Sequence, residues 1–405
     1  MTELAPPPEA QGSMVEVMRG WIDRLKAGDV GSLPVIVALV FITIFFSVKT
    51  NIFFTAVNFN NLMPQMAGTA VMAIGVVFVL LIGEIDLSIG SVSGVGGVVV
   101  AEMQQAGTNH NFGGVAAIVL AVAVGALIGA VQGSIFALIG VPSFVVTLAG
   151  LLAFNGVILW ALGVQGVIGI QSNLVNNVAN YVLPKDVGWG LAGVVAAGYA
   201  AAVVAGLISR RRRGLPPGNL TLAALRILGM AAVAFGAVAI GNHSRGFQFA
   251  GVFVIALIVL WSYVAKRTTF GRHVYAVGGN AEAARRAGIN VARIRILVFM
   301  ISGAMAALGG VVFASRLNSV DLTAGSGTVL LDAIAAAIIG GTSMFGGRGF
   351  VRTALLGALV IKTVENGLDL LGQTDAVKDI TTGLILVAAV TLDTISKRRL
   401  QQAGR

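Results

Sequence analysis

A chain of 405 residues in which 57% are hydrophobic and only 11% charged cannot hide its apolar surface in an ordinary aqueous core, since soluble domains carry about 25% charged residues; lipid is its solvent. The net charge of +10 falls in short basic runs between apolar stretches, as the positive-inside rule expects and a nucleic-acid surface does not. With no cysteine, disulfides, thiol catalysis and Cys-based zinc sites are excluded, and His110, His243 and His273 are too scattered to suggest a metal site.

Residues 1–12 carry three consecutive prolines, Pro6 to Pro8, and read as a loose tail. The next stretch is amphipathic. Met14, Met18, Trp21, Ile22 and Leu25 share one helical face, while Glu16, Arg19, Asp23, Arg24 and Lys26 supply charge; this suits a helix lying on the membrane surface, with a short soluble helix as the alternative. Twelve apolar runs follow, at 33–48, 62–82, 88–104, 113–139, 143–164, 187–208, 222–241, 247–265, 295–315, 327–343, 349–371 and 377–395. The first is expected to be a membrane helix and not a cleavable signal, because about thirty mostly polar residues precede it. Several runs are shorter than the ~20 residues of a standard span, which is tolerated where protein surrounds them. The expected fold is an all-α polytopic membrane protein of about 12 transmembrane helices, with residues 1–30 and 397–405 as cytoplasmic tails and 31–396 as the membrane domain.

Parity supports this topology. With the N-terminus inside, Arg210–Arg213, the basic 266–295 loop and Lys397–Arg399 are all cytoplasmic. The loops assigned outside, near 105–112, 165–186, 242–246 and 316–326, contain only Lys185, Arg245 and Arg316. Glycine-flanked breaks at 83–90 and 340–347 both fall inside and suggest two loosely similar halves in parallel orientation.

Four segments are candidates for mechanism. At the first break, Glu84 and Asp86 interrupt an apolar stretch, where carboxylates are costly unless paired or hydrated; Asp86, Ser88 and Ser91 are also good cap residues for the next helix. This segment reads as a capped turn, a gate or pathway lining, or both. In the basic loop, residues 280–288 read as one short helix: Asn280 caps it, Glu282 and Arg286 pair across one turn, and Gly288 ends it. Such a helix suits docking on a partner, with a solvated loop as the alternative. Gly125, Gly129 and Gly133, like Gly90 and Gly94, repeat every four residues and expose backbone for close helix contact, within the chain or between protomers. Lys362, Glu365, Asn366, Asp369, Lys378 and Asp379 form a polar set in 362–379, read as a packing network or a proton relay. Asn155 is a polar residue in an apolar run and a further pathway candidate. The chain has no phosphate-binding P-loop and no catalytic Ser-His-Asp or His-Glu constellation.

Five segments, in order along 60–395, resemble the permease subunits of bacterial sugar ABC importers of the ribose/xylose class: Gly83-Glu-Ile-Asp-Leu-Ser-Ile-Gly-Ser91, Val141-Pro-Ser-Phe-Val-Val-Thr-Leu148, Thr269-Phe-Gly-Arg-His-Val-Tyr-Ala-Val-Gly-Gly-Asn280, Ala284-Arg-Arg-Ala-Gly-Ile289 and Ile339-Gly-Gly-Thr-Ser-Met-Phe-Gly-Gly347. Each is weak alone; together they are specific. Glu84 departs from the glycine usual in that class. The resemblance implies a type II-like importer permease that pairs with a second copy of itself. It also implies an ATP-binding subunit that binds ATP and Mg, and a periplasmic sugar-binding protein. The 270–289 loop would then be a coupling helix on the ATPase, with Asn280, Glu282, Arg285, Arg286 and Gly288 as docking residues. The spans near 187–241 look like a two-helix insertion relative to ribose-type permeases, which implies D-xylose or a similar pentose as cargo. The competing class is a proton-coupled secondary sugar transporter working through Glu365 or Asp369.

Overall fold

The computed structural model describes residues 33–105, 113–214 and 219–402; the amphipathic segment expected at 14–26 lies outside them. Among the described residues fifteen α-helices follow in order: α1 Leu33–Lys49, α2 Ala56–Leu81, α3 Ile89–Glu102, α4 Gly114–Ser134, α5 Ser143–Leu162, α6 Asn173–Asn180, α7 Lys185–Arg212, α8 Leu220–His243, α9 Phe249–Arg267, α10 Thr269–Gly279, α11 Ala281–Arg286, α12 Val291–Leu317, α13 Val329–Ile339, α14 Ala354–Leu370 and α15 Asp375–Gln402. Two short strands, β1 Val167–Gly169 and β2 Ser319–Asp321, pair antiparallel. Each of the twelve apolar runs lies on a helix. Among the described residues seven helices are long and apolar enough to cross a membrane: α2, α4 with its π-turn extension to Ile139, α5, α7, α8, α9 and α12. The runs on α1, α3 and α13 are apolar but shorter. The stretch 165–186, expected as a plain loop, instead contains β1 and α6.

The helix ends follow local chemistry. Thr55 Oγ1 accepts the Asn58 N–H at 3.2 Å to start α2, and Asn290 Oδ1 accepts the Arg293 N–H at 2.9 Å to start α12. At the end of α4 the backbone widens into a π-turn over Ile135–Ile139 and stops at Gly140, in the left-handed region (φ 87°). Pro142 follows and opens α5.

The chain divides into two compact units. One comprises residues 32–181 and 248–394. Its core is α2, whose residues are buried almost without break from Leu62 to Leu81; protein, not lipid, surrounds it. Phe78 meets Trp261 of α9 edge-on at 5.4 Å. Helix α12 packs against α2, α3 and α4, and it does so through bare backbone. A methyl group built on Gly125 would strike the Gly303 carbonyl, one on Gly303 would strike that of Gly125, and one on Gly129 would strike Phe299 O. The glycine ladder of α4 therefore serves a contact within the chain. Gly90 and Gly94 do the same against the 324–325 turn.

The other unit includes residues 182–247. Here α7 and α8 form an antiparallel hairpin. Trp189 stacks on Phe235 with centroids 6.1 Å apart, Asn242 Nδ2 donates to Lys185 O at 3.1 Å, and Leu183 N–H donates to Phe247 O at 2.9 Å. Val194, Val195, Leu225, Leu228 and Val233 are exposed, the all-round apolarity of helices that face lipid.

Gly129→Ala should therefore destabilise the protein in detergent by about 1–3 kcal/mol through overpacking. Gly156→Ala, where a methyl group meets nothing within 4 Å, should change it little. Paired thermal unfolding of the two variants checks this.

Candidate functional site

Helix α2 ends at Ile82 and Gly83 takes a left-handed conformation (φ 78°), a turn that suits glycine. Asp86 then folds back on the next helix. Its Oδ1 accepts the Ser88 N–H at 2.9 Å and the Ser88 hydroxyl at 2.7 Å, while Oδ2 accepts the Ser302 hydroxyl of α12 at 2.8 Å. Gln132 Nε2 of α4 donates to Ser88 Oγ at 3.0 Å. Asp86, Ser88, Ser91, Gln132 and Ser302 are all buried. Ser88 is the residue that precedes α3, but its own side chain caps nothing; Asp86 closes the turn ahead of the helix by accepting from Ser88, and Ser91 Oγ donates to Ser88 O at 2.9 Å. This cluster of hydroxyls, an amide and one carboxylate joins α3, α4 and α12 at the break.

Glu84 points elsewhere. Its Oε2 accepts the Ser143 hydroxyl, at the start of α5, at 2.6 Å. Its Oε1 lies 3.6 Å from Arg295 Nη2, and the Arg295 guanidinium sits 4.6 Å from the centre of the Phe136 ring, in the π-turn. Asn155 is half-buried midway along α5, and among the described residues no hydrogen bond ties it to either group.

The basic loop holds two helices. Thr268 caps α10 by accepting the Gly271 N–H at 3.2 Å. Asn280 caps α11 by accepting the Ala283 N–H at 2.9 Å, Glu282 pairs with Arg285 at 3.1 Å and Arg286 at 3.2 Å, and Gly288 turns left-handed (φ 84°) to end it. Glu282, Arg285 and Arg286 are exposed, with side chains 55%, 65% and 80% accessible, so they are free to meet a partner.

The two glycine-flanked breaks and this loop meet backbone to backbone. Gly347 N–H donates to Leu81 O at 2.9 Å. A methyl group on Gly278 would collide with Leu81 O and lie 2.7 Å from Gly347 N; one on Gly346 would lie 2.7 Å from Gly278 O. Tyr275 Oη donates to Gly349 O at 2.8 Å, and burial pushes its phenol pKa up, with Arg352 opposing.

The polar set of 362–379 forms ion pairs around two lysines, Lys362 and Lys378. Lys362 Nζ contacts Glu365 and Asp332 of α13, each at 2.7 Å, whereas Asp369 pairs with Lys378. Asn366 instead joins a buried amide chain, accepting from Asn58 at 2.8 Å and donating to Gln65 at 3.2 Å.

Gln132, Ser143, Ser302 and Asp332 are the partners that sequence reading missed. Gln132 carried a usable signal: it is the one amide in the apolar 114–134 run. Ser302 and Ser143 carried none, because serine is common in membrane helices and back-bonds within them.

Asp86→Ala leaves the Ser88 N–H and the Ser302 hydroxyl without their acceptor, whereas the Ser88 hydroxyl still has Gln132 Oε1 at 3.2 Å, and each unsatisfied group costs about 1–3 kcal/mol. It should lower stability in detergent more than Ser302→Ala, which removes one donor. Glu282→Ala, on the exposed helix, should fall within about 0.5 kcal/mol of wild type. Thermal unfolding of the three variants orders them.

The family described as branched-chain amino acid transport system / permease component matches residues 58–390. The chain is 35% identical over 396 residues to the xylose transport system permease protein XylH of Escherichia coli, covering 94% of this chain and 96% of that one. It is 34% identical to the XylH protein of Haemophilus influenzae, over 93% of this chain and all of that one. It is 32% identical to the ribose import permease protein RbsC of Escherichia coli, over 91% and 95%. No solved structure matches at the same stringency. A match through most of its length, together with the lipid-facing helices above, makes this chain a multi-pass membrane protein that belongs to the branched-chain amino acid transport system / permease component family.

Proposed function

We propose that this chain is the membrane-spanning, non-catalytic subunit of an ATP-binding-cassette importer that moves a monosaccharide, D-xylose first among candidates, across the bacterial inner membrane. The observation that carries this reading is the near full-length likeness to xylose transport permeases, at 35% and 34% identity. A separate ATP-binding subunit supplies ATP and Mg, a periplasmic sugar-binding protein delivers cargo, and a second copy of this chain completes the pathway.

The topology proposed is about twelve spans in two similar, parallel halves, with both termini cytoplasmic. Loops assigned to the same side touch one another, which supports it. Strands β1 and β2 join two loops placed outside, and Gln105 Nε2 donates to Gln165 Oε1 at 3.2 Å across two such loops. Leu81, Gly278 and Gly347 join three segments placed inside. Helices α7 and α8 are the inserted pair.

In the proposed cycle, sugar enters between the two protomers from the binding protein, and closure of the ATPase dimer moves the 266–295 loop. Asn280, Glu282, Arg285, Arg286 and Gly288 form the docking helix. Because Gly278 is wedged between the end of α2 and the 343–349 turn, displacement of this loop bears on both breaks. Asp86, Ser88 and Ser91 brace the first break, Glu84 restrains it, and Asn155 on α5 stands as a pathway-lining candidate.

Co-expressed with its ATP-binding subunit, the wild-type chain should copurify with it. Arg285→Glu/Arg286→Glu should weaken that association by ~10-fold or more, because reversed charges face a complementary surface. Copurification and binding in detergent check this; equal binding by both proteins rejects the docking residues, and no ATPase on either, with sugar uptake following a proton gradient, rejects the importer reading.

A further inference from the structure

Behind the short helix α11 lies a cavity of about 370 Å³ lined by Ala137, Arg285, Gly288, Ile289, Asn290 and Arg295 among others. Two guanidinium groups line it, and among the described residues no carboxylate does. Arg285 is exposed and, among the described residues, pairs along its own helix with Glu282. Arg295 stands deeper, with its side chain 27% accessible.

Arg295 is loosely held. Its contact with Glu84, at 3.6 Å, is well beyond the 2.7–2.9 Å of a tight charge-assisted hydrogen bond. Its Nε is buried without a hydrogen-bond partner, and its other contact is the Phe136 ring. A guanidinium has five donors in a planar fork, so Arg295 has donors to spare for a second acceptor. Glu84, for its part, keeps the 2.6 Å hydrogen bond from Ser143 if Arg295 leaves.

Resting on the importer reading, we propose that this cavity takes a carboxylate side chain of the ATP-binding subunit, held by Arg285 and Arg295, and that this carboxylate competes with Glu84 for Arg295. The occupant is an acidic side chain because the cavity offers two cations, and it belongs to the docking partner because the cavity opens beside the docking helix. Coupling is reciprocal. Engagement of the partner weakens the tie that Glu84 makes from the 83–91 break to the start of α12, and a tightened Glu84–Arg295 pair weakens engagement. Docking is thereby linked to the segment that interrupts the membrane helices, through two side chains and no movement of backbone.

The test is a double-mutant cycle on the full-length permease in nanodiscs, with ATP-binding-subunit affinity as the readout. Glu84→Gln should tighten binding several-fold, because Arg295 is released to the cavity. Arg295→Gln should weaken it ~10-fold, and in that background Glu84→Gln should have no effect. Arg285→Gln, on an exposed side chain that does not threaten folding, should also weaken binding while leaving the Glu84→Gln gain in place. A Glu84→Gln variant that binds like wild type overturns the proposal, as does a gain of equal size with and without Arg295. Failure of the wild type itself to bind any ATP-binding subunit overturns the importer reading and this proposal with it.

Discussion

A membrane helix that stops short leaves backbone and side-chain polar groups where lipid can satisfy none of them, and the interruption between α2 and α3 is the constraint around which the larger unit is arranged. Asp86 resolves it. One carboxylate accepts the N–H and the hydroxyl of Ser88, just before α3, and a hydroxyl from α12. Each partner needs the others, since removing the carboxylate strands the Ser88 N–H and the Ser302 hydroxyl, and moving α12 leaves Asp86 Oδ2 without its donor. The burial of α2 and the placement of α12 follow from keeping this group dry.

Dryness in turn requires close approach, and close approach requires glycine. Helix α12 reaches the break because Gly303 lies directly on Gly125 and because Gly129 leaves room for the Phe299 carbonyl. Side-chain-free contact of this kind gives packing and short polar distances without a hydrophobic driving force between helices. The same device recurs where Gly278 meets Leu81 and Gly347, so the loop proposed to dock on the ATPase is seated directly on the two helix breaks. A rigid, bare joint transmits displacement better than one cushioned by flexible side chains.

Much of this was legible beforehand, for identifiable reasons. Apolar runs are long and unambiguous, so each fell on a helix. The short helix in the basic loop was readable to the residue, from Asn280 to Gly288, because caps, paired charges and a terminal glycine are local signals. Glu84 and Asp86 stood out as carboxylates in an apolar setting. Their partners did not, because Ser143 and Ser302 are distant in sequence and ordinary in type. The 362–379 set holds the ion pairs expected of a packing network, but its partners were not legible: Asp332, which pairs with Lys362, sits on a different helix, and Lys378 lies beyond a turn that brings it back to Asp369. The helix and strand in 165–186 were hidden because α6 is short and rich in asparagine, and β1 exists only through its pairing with β2.

The central claim is that this chain is a passive pathway driven by a partner's ATP hydrolysis. The most direct measurement is xylose uptake into proteoliposomes that contain this chain and its ATP-binding subunit, with the sugar-binding protein on the sugar side and ATP on the other. The account predicts uptake that requires ATP and the binding protein and is indifferent to collapse of a proton gradient. Uptake that persists without ATP and stops when the proton gradient is collapsed would contradict it.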